Sequence, residues 1–443
     1  MYLDDGLGGA ASYTEALRTS DVIKTDLGKF GFEIAHEKCN WSPVQRLEWL
    51  GFDWDTKNGI IRITEKRISK LKKSLFELIQ SYEHGTTLFR VRFIASIVGQ
   101  IISTQAVFGD RTRLRTRYLY DCILSRASWN ASVIVSNYTV RECIYWFDNT
   151  ENINEIGAHF CQLTYNEEQD FHIFCDASET GFGGHLTTGS EDEPLEIYGT
   201  WSIEERRESS TLRELEAVNR VIQNVITHVS GKKIRVYTDN KNVPQILKVG
   251  SRKQILHDNV MVKHDICNRN SITLSCVWIP RENNTRADTL SRKTDCDDWE
   301  IHEWIFQYLN NKWGPHTSDR FATDYNTKCD HFNSKFWCNG SSGVDTFSQT
   351  WYGYNNWLVP PPRLIPQTLN KLKNEKSKGT LLVPEWTSAP FWPMLLRNEG
   401  NVNDFVLEYE YFQGNLTKRG RGQNGIFGEG FLKFRILALR IRF

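Results

Sequence analysis

The sequence FHIFCDAS at residues 171–178 decides the fold class, because it predicts a β-strand that ends on an acidic residue. Apolar residues recur there at every second position, the period of a strand with one buried face. A second alternating run occupies residues 234–238, and glycines at 181, 183 and 184 indicate a hairpin after the first strand. Between the two runs lies a helical stripe made of Leu215, Val218, Ile222 and Val225. Strands that alternate with helices predict an α/β domain over residues 170–292.

Four acidic residues stand at the ends of these predicted elements, namely Asp176, Glu214, Asp239 and Asp288. Two predicted strands end on Asp176 and Asp239, Glu214 lies early on the amphipathic helix, and Asp288 follows an apolar run at residues 272–279. Carboxylates so placed can converge at one edge of a sheet, where they repel one another unless cations are bound. Mg²⁺ prefers carboxylate oxygens, and two such ions can activate a water and stabilise a leaving oxygen in phosphodiester hydrolysis.

The segment resembles a type 1 ribonuclease H domain in the order of its motifs: a strand with DAS, a helix with REL, a strand with TDN, and AD-x-LSR. The resemblance implies a ribonuclease H-like mixed sheet with flanking helices. It also implies hydrolysis of the RNA strand of RNA–DNA hybrids, leaving a 3′-hydroxyl and a 5′-phosphate. Asp176, Glu214, Asp239 and Asp288 would be catalytic and would hold two Mg²⁺ ions, with Mn²⁺ as an alternative. Glu214 is preferred over Glu216 because the family pattern places the acid directly before Leu215.

Two features depart from cellular members of that family. The loop at residues 280–284 has no histidine, although many cellular enzymes carry one before the last helix. Only 49 positions separate Asp239 from Asp288, too few for the basic helical protrusion of some cellular members. Both departures resemble retroelement domains, and they bear on turnover rate more than on the type of reaction.

The N-terminal part resembles the late palm of reverse transcriptases. Its YLDD, with Tyr2, Asp4 and Asp5, is similar to the YxDD turn, and residues 31–34 and 48–52 are similar to the succession that ends in a primer-grip hairpin. Lys38 would match a lysine near the incoming nucleotide. Residues 1–60 are therefore predicted to be a partial palm of short β elements at 2–7, 32–34 and 47–54.

Residues 61–150 are predicted to be mostly helical, from a stripe at Ile68, Leu71, Leu75 and Leu78, and they resemble a thumb and connection. Residues 62–126 carry 13 Lys or Arg and 5 Asp or Glu, a net charge of +8, which favours a polyanion such as a nucleic acid duplex. The row Arg111, Arg113, Arg115 and Arg117 would lie on one face of a strand or wrap around a helix. Either arrangement suits phosphate contacts, and a plain solvated face is the alternative.

The polymerase site of the resembled family needs a further aspartate from an earlier palm strand. That strand would precede YxDD, and the sequence begins next to the motif. We therefore expect no DNA polymerase activity from this chain alone. The sequence would be a piece of a longer polyprotein or a shortened reading frame.

The C-terminal third is predicted to be irregular and aromatic-rich. Its motifs at residues 313–322, 357–362 and 384–386 resemble the region after ribonuclease H in DIRS-type retrotransposon polyproteins. We therefore expect domains at 1–60, 61–150, 165–295 and 296–400, followed by a poorly defined basic tail at 401–443. Residues 418–443 hold seven Lys or Arg and one Glu, a net charge of +6.

The composition excludes several protein classes. Hydrophobic residues make up 40% of 443, and no apolar run approaches the roughly 20 residues of a transmembrane helix. The N-terminus lacks the basic and apolar regions of a secretory signal, and the ten cysteines form no CxxC pair. These features predict a protein without membrane contact in the cytoplasm or nucleus. The oligomeric state stays open.

Three functions remain in competition. The first is an active ribonuclease H that takes an RNA–DNA hybrid or a related duplex. The second is a non-catalytic, nucleic-acid-binding relic of a retroelement. The third is an accessory half of a split reverse transcriptase.

Overall fold

The protein is described by a computed structural model that covers residues 6–160, 169–188, 193–294, 299–397, 401–419, 426–428 and 430–443. The chain forms two units. One comprises Met1–Glu168 with Lys248–Gln254, and the other comprises Gln169–Leu247 with Ile255–Phe443. Each unit has its own core, and no described helix is long and apolar enough to cross a bilayer.

The first unit combines a small antiparallel sheet with a group of helices. Its sheet has the strand order β1-β2-β3-β6, and a separate two-stranded pair joins β4 to β5. The strands are β1 (Arg46–Trp49), β2 (Phe52–Asp55), β3 (Ile60–Ile63), β4 (Leu88–Arg90), β5 (Ser132–Ile134) and β6 (Ala158–His159). The helices are α1 (Tyr13–Lys29), α2 (Glu65–Glu83), α3 (Val91–Ile102), α4 (Gln105–Phe108), α5 (Arg111–Leu114), α6 (Arg117–Leu124) and α7 (Asn137–Ile156).

The helical prediction for residues 61–150 is confirmed. The predicted stripe Ile68, Leu71, Leu75 and Leu78 is the buried face of α2, and it packs in one core with α3, α6 and α7. Glu142 of α7 reaches the N-terminus of α6, where its two oxygens accept hydrogen bonds from the backbone nitrogens of Tyr118 and Leu119 at 3.0 and 2.9 Å. These bonds satisfy amides that a helix N-terminus leaves without internal partners.

The prediction of short β elements needs correction for residues 6–60, whereas most of the predicted element at residues 2–7 lies outside the described residues. Residues 13–29 form α1, capped by Ser12, whose hydroxyl accepts a hydrogen bond from the Glu15 backbone nitrogen. Residues 32–34 are not a strand. The third predicted element is a hairpin of β1 and β2, closed by Leu50 and Gly51 with φ of 51° and 75°. Two positive φ values in a two-residue turn match the right-handed twist of the flanking strands.

Residues 169–294 fold around a mixed five-stranded sheet with the order β11-β10-β7-β8-β9. Strands β7, β8 and β9 form an antiparallel meander, and β10 runs parallel to both β7 and β11. The strands are β7 (Phe171–Ala177), β8 (Gly181–Thr187), β9 (Leu195–Thr200), β10 (Lys233–Thr238) and β11 (Thr273–Trp278). The helices are α8 (Ile203–Arg206), α9 (Ser210–Asn224), α10 (Ile226–Val229), α11 (Val243–Val249), α12 (Gln254–Arg269) and α13 (Thr285–Ser291).

The core of this segment confirms the predicted periodicities. Ile173 and Cys175 of β7 are fully buried, as are Leu215, Val218 and Ile222 of the helical stripe on α9. The order of elements and the mixed sheet give the ribonuclease H-like α/β fold that the sequence predicts.

The described part of the C-terminal segment is not irregular, which corrects the expectation for residues 293–443. It contains a five-stranded sheet with the order β13-β16-β17-β20-β18, in which β20 is antiparallel to both of its neighbours. The strands are β12 (Trp299–Ile301), β13 (Ser318–Asp319), β14 (Asn333–Ser334), β15 (Gly343–Val344), β16 (Asn355–Leu358), β17 (Lys378–Pro384), β18 (Val406–Phe412), β19 (Thr417–Arg419) and β20 (Ile436–Arg442). The helices are α14 (Glu303–Trp313), α15 (Ile365–Asn374) and α16 (Trp392–Leu395).

The expected division into a region at 296–400 and a tail at 401–443 does not match this sheet. β20 lies between β17 and β18, so residues after 400 complete the same sheet that residues before 400 begin. Buried residues on the two faces of the sheet form two separate apolar clusters.

Candidate active site

Asp176 lies near the end of β7, on the central strand of the ribonuclease H-like sheet. Its register partner on β8 is Gly183, and Cys175 beside it points to the core. Asp176 is 4% exposed. The strand pattern that buries Ile173 and Cys175 on one face therefore sends Asp176 to the other face at the end of the strand.

Glu214 comes from α9, which begins with Ser209 as its N-cap. The Ser209 hydroxyl accepts a hydrogen bond from the Leu212 backbone nitrogen, and Leu212 and Leu215 are buried. Glu214 lies between these two apolar positions and is 6% exposed. Among the described residues, its Oε2 atom has no hydrogen-bond partner. A buried carboxylate oxygen without a donor is costly unless a proton or a cation satisfies it.

Asp239 follows directly after β10. Because β10 is parallel to β7, the carboxyl ends of both strands lie at the same edge of the sheet. The backbone carbonyl of Asp239 accepts a hydrogen bond of 2.9 Å from the indole nitrogen of Trp278, at the end of β11. This bond fixes the backbone that carries the Asp239 carboxylate, which is half-buried.

The three carboxylates converge. One oxygen from each of Asp176, Glu214 and Asp239 lies within 4.8 Å of the others. Burial is the largest effect on all three groups, and it raises the pKa of each. Mutual repulsion adds to this effect, so the pKa of Glu214 is raised to about 9. Without a cation, this cluster therefore retains a proton at neutral pH.

Asp288, the fourth predicted acid, is on α13 beside the cluster but has different partners. Its Oδ1 atom accepts hydrogen bonds from Arg281 Nη2 at 2.6 Å and Arg292 Nη2 at 2.8 Å. Burial acts to raise the pKa of Asp288, but the two guanidinium groups outweigh burial and lower it. The negative charge of Asp288 also acts to raise the pKa of Asp176 and Asp239.

Helix α13 is held against the sheet at both ends. At its start, the Asn284 side-chain amide donates a hydrogen bond of 2.9 Å to the Cys175 carbonyl. At its end, the Ser178 hydroxyl donates one of 2.7 Å to the Ser291 carbonyl. These two bonds place Asp288 against the strand that carries Asp176.

Glu216 is also on α9, but its carboxylate bonds to residues outside the acid cluster. Its carboxylate accepts hydrogen bonds from Asn259 Nδ2 of α12 at 2.8 Å and from Arg220 Nε at 3.0 Å. Glu216 thus links two helices, whereas Glu214 is in the acid cluster.

The remaining predicted site residues belong to the first unit. Tyr2, Asp4 and Asp5 fall outside the described residues. Lys38 ends a short 3₁₀ turn at His36–Lys38 and is exposed.

The arginine row is helical, so the strand alternative is wrong. Arg111 and Arg113 are on α5, and Arg117 begins α6. The chain leaves helical geometry at Arg115 and Thr116, with φ of −91° and −132°. This break lets the intervening residues Thr112, Leu114 and Thr116 all be buried while the arginines stay at least partly exposed.

Arg115 and Arg117 both make contacts within the first unit. The guanidinium of Arg115 lies 4.3 Å from the ring centroid of Tyr145, and Arg117 is 3.6 Å from Asp121. The row is thus a partly exposed cationic surface on the first unit.

Arg281 and Arg292 also belong to the site, although the motifs of the sequence do not mark them. The contact of Arg292 could have been predicted, because Arg292 lies four residues after Asp288 and residues at that spacing meet on a helix. Arg281 carries no comparable signal, since its contact with Asp288 depends on how the loop after β11 folds.

The residues present suit a hard divalent cation. Three carboxylates within 4.8 Å and an unpartnered buried Glu214 oxygen form a donor set of the kind that Mg²⁺ and Mn²⁺ take. Asp176, Glu214 and Asp239 would hold such an ion, and Asp288 lies outside the group whose oxygens meet within 4.8 Å.

Comparison with known proteins gives one family match. Residues 166–262 match the model of the RNase H-like domain found in reverse transcriptase. No curated protein sequence matches the chain.

Three solved structures illustrate the structural comparison. A foamy viral protease–reverse transcriptase in complex with double-stranded DNA is 13% identical, over 61% of this chain and 44% of its own, with a TM-score of 0.29. Ribonuclease H1 from Halobacterium salinarum NRC-1 is 19% identical, over 27% of this chain and 92% of its own, with a TM-score of 0.24. LC11-RNase H1 in complex with an RNA/DNA hybrid is 20% identical over the same shares, with a TM-score of 0.24. This chain thus spans less than half of the foamy viral chain.

Proposed function

We propose that the domain at residues 169–294 hydrolyses the RNA strand of RNA–DNA hybrids in a reaction that depends on divalent metal ions. One observation carries this proposal. The oxygens of Asp176, Glu214 and Asp239 converge within 4.8 Å in a segment that matches the RNase H-like domain of reverse transcriptases. The motifs predict carboxylates that bind divalent ions, and the ribonuclease H-like sheet brings these carboxylates together.

In this proposal Asp176, Glu214, Asp239 and Asp288 hold two Mg²⁺ ions, or Mn²⁺ in their place. When bound, the ions activate water and stabilise the leaving oxygen of the RNA strand. Glu214 has a pKa of about 9 in the metal-free protein, so its carboxyl group gives up a proton when an ion binds. Trp278 and Asn284 contribute by orientation, because they fix the backbone of Asp239 and the start of α13.

The substrate class follows from the reaction. A hybrid presents 2′-hydroxyl groups on one strand only, and these groups are what distinguishes RNA from DNA for a protein. We therefore assign the RNA strand of a hybrid as the one cut. The product would carry a 3′-hydroxyl and a 5′-phosphate.

For the first unit we propose binding of the same duplex by its helical part. The support is the net charge of +8 over residues 62–126 and the exposure of the arginine row. We also propose a thumb-like role for residues 61–150 and a palm-like role for residues 1–60, with Lys38 near a nucleotide. They rest on sequence resemblance, as does the DIRS-type origin of the C-terminal segment.

A second candidate function has one observation in its favour. Asp288 is occupied by two guanidinium groups, which fits a protein that binds duplex without cutting it. Cleavage of a labelled RNA–DNA hybrid, with and without Mg²⁺, separates the two candidates, since only the nuclease gives metal-dependent products.

A further inference from the structure

Arg281 occupies an unusual place beside the acid cluster. It opens the 3₁₀ turn Arg281–Asn283, between β11 and α13. Backbone hydrogen bonds of 2.9 Å from Asn283 to Pro280 and from Asn284 to Arg281 fix this turn. The loop backbone is therefore held while the Arg281 side chain, 64% exposed, extends to Asp288.

Arg281 and Arg292 share one atom of Asp288. Both Nη2 atoms bind Oδ1, at 2.6 and 2.8 Å. Arg292 reaches Asp288 from one turn further along the same helix, as an ordinary i,i+4 pair. Arg281 arrives from the loop on the side of the cluster, and its positive charge also acts on Asp176 and Asp239.

We propose that Arg281 is a positioning residue that takes the place of a cation beside Asp288 in the metal-free protein, and that it must leave Asp288 before a second divalent ion binds there. The inference rests on the proposed metal-dependent function. It goes further by making one side chain control how many ions the site holds.

Electrostatics sets the direction of this control. A guanidinium and a divalent ion compete for the same carboxylate oxygen, and like charges a few ångströms apart repel even where water screens them. The first ion, at Asp176, Glu214 and Asp239, does not need the Asp288 oxygen. The second ion does, so its affinity alone should depend strongly on Arg281.

A nucleic acid offers Arg281 a better partner than Asp288. Guanidinium groups bind phosphate through two parallel hydrogen bonds, and the exposed Arg281 side chain is free to turn outward. A bound duplex would then draw Arg281 away and leave Asp288 open to the second ion. By reciprocity of linked binding, the second ion would raise the affinity for duplex by the same factor.

Binding of Mn²⁺ to the full chain, followed by electron paramagnetic resonance of the free ion, tests the inference. The variants are wild type, Arg281→Gln, Arg281→Lys and Arg286→Gln. The last is a matched control, because Arg286 is another exposed arginine of the same region and pairs with Glu196 at 2.8 Å instead of with the cluster. Circular dichroism checks that each variant is folded.

We expect wild type and Arg286→Gln to bind one Mn²⁺ tightly and a second weakly. Arg281→Gln should bind the second ion at least about tenfold more tightly than wild type, since it loses a competing charge. The affinity of Arg281→Lys for the second ion should lie between those of wild type and Arg281→Gln. A hybrid with 2′-O-methyl groups on its RNA strand should reduce the difference in second-ion affinity between wild type and Arg281→Gln. Its phosphates would draw Arg281 away from Asp288 in the wild type.

Two failures are distinguishable. Equal affinity for the second ion in Arg281→Gln and Arg286→Gln would overturn the role of Arg281 and leave the metal site intact. Absence of any Mn²⁺ binding by folded wild type would overturn the metal centre itself, and with it both the inference and the proposed function.

Discussion

The Ser291 backbone nitrogen lies so close to Gly183 that a Cβ atom at residue 183 would sit 2.2 Å from it. Helix α13 therefore rests directly on the backbone of β8. Gly183 is also the register partner of Asp176. The glycine thus allows the helix that carries Asp288 to approach the strand that carries Asp176.

Substitution of Gly183 by Ala should separate these two acids. The added methyl group meets backbone atoms of Leu290 and Ser291, which cannot turn away as a flexible side chain would. Overpacking of this kind lowers the free energy of unfolding by about 1–3 kcal/mol. Each kcal/mol lowers the melting temperature by roughly 2–4 °C in a folding unit of 150–250 residues. We expect a lower melting temperature by calorimetry and weaker hybrid cleavage.

Gly28→Ala is the control for that substitution. Gly28 lies inside α1, and a Cβ there would meet no atom within 4 Å. Ala should be neutral or stabilising at such an exposed helical position. Equal losses in the two variants, or no loss in Gly183→Ala, would contradict the close approach of α13.

Glu214 and Glu216 provide a matched pair of substitutions on one helix. Glu214→Gln should abolish Mn²⁺ binding at the three-carboxylate site and reduce cleavage by at least about a hundredfold, as expected when a metal ligand is lost. Glu216→Gln should keep both properties, because Glu216 bonds to Asn259 and Arg220. Isothermal titration with Mn²⁺ and a cleavage assay measure the difference. Loss of ion binding in Glu216→Gln alone would reverse the assignment.

The raised pKa of Glu214 predicts how stability depends on pH without metal. A carboxyl group whose pKa rises from 4.5 to about 9 on folding favours the folded state fully below pH 4.5. That contribution is lost as the pH rises through about 9. The melting temperature in EDTA should therefore fall from pH 6 to pH 9.5, and saturating Mg²⁺ should reduce the fall because an ion replaces the proton.

Glu214→Gln should show a smaller fall over the same pH range. The remaining slope would come from Asp176 and Asp239, whose pKa values are also raised by burial. Identical pH profiles of wild type and Glu214→Gln would mean that Glu214 is not the buried, protonated group described above.

The arginine row should contribute to duplex affinity through charge. Arg113 is exposed on α5, and its replacement by Gln removes one cation from the row. If Arg113 contacts a phosphate, the slope of log affinity against log salt concentration should decrease in magnitude by about 1. Fluorescence anisotropy with a labelled hybrid, over a series of salt concentrations, measures this slope.

Lys373→Gln serves as the control for Arg113→Gln. Lys373 is near the end of α15 in the C-terminal segment, and the proposal gives it no duplex contact. Its salt slope should equal that of wild type. Equal slopes in all three proteins would show that Arg113 belongs to a solvated face.

Much of the ribonuclease H-like domain could be predicted from the sequence, because its elements have clear periods. Strand β7 alternates and has Asp176 near its end, α9 carries a helical stripe with Glu214 early on the helix, and Asp239 follows β10 directly. Convergence of Asp176 and Asp239 follows from parallel strands that end at one edge of the sheet, and Glu214 joins them from the helix.

The C-terminal sheet could not be predicted in this way. Strand β17 is buried at six successive residues, so it lacks the alternation that marks a half-exposed strand. Its neighbour β20 comes from the end of the chain and inserts between β17 and β18. No local pattern indicates such a non-local pairing.

Helix α1 and the role of Arg281 were missed for different reasons. None of the α1 residues is buried. A helix without a buried face needs no apolar stripe, so its sequence has no strong helical pattern. Arg281 depends on a turn that directs its side chain back to Asp288, seven residues later. Sequence spacing alone does not indicate that contact.

The most direct test of the central claim is cleavage of an RNA–DNA hybrid, labelled on the RNA strand, by the wild-type chain and by Asp239→Asn. We expect wild type to cut the RNA with Mg²⁺ and to leave it intact with EDTA. Folded Asp239→Asn should bind the hybrid and cut at least about a hundredfold more slowly. Full cleavage by Asp239→Asn, or no cleavage by folded wild type with bound hybrid and Mg²⁺, would contradict the assignment of the three-carboxylate centre as a nuclease site.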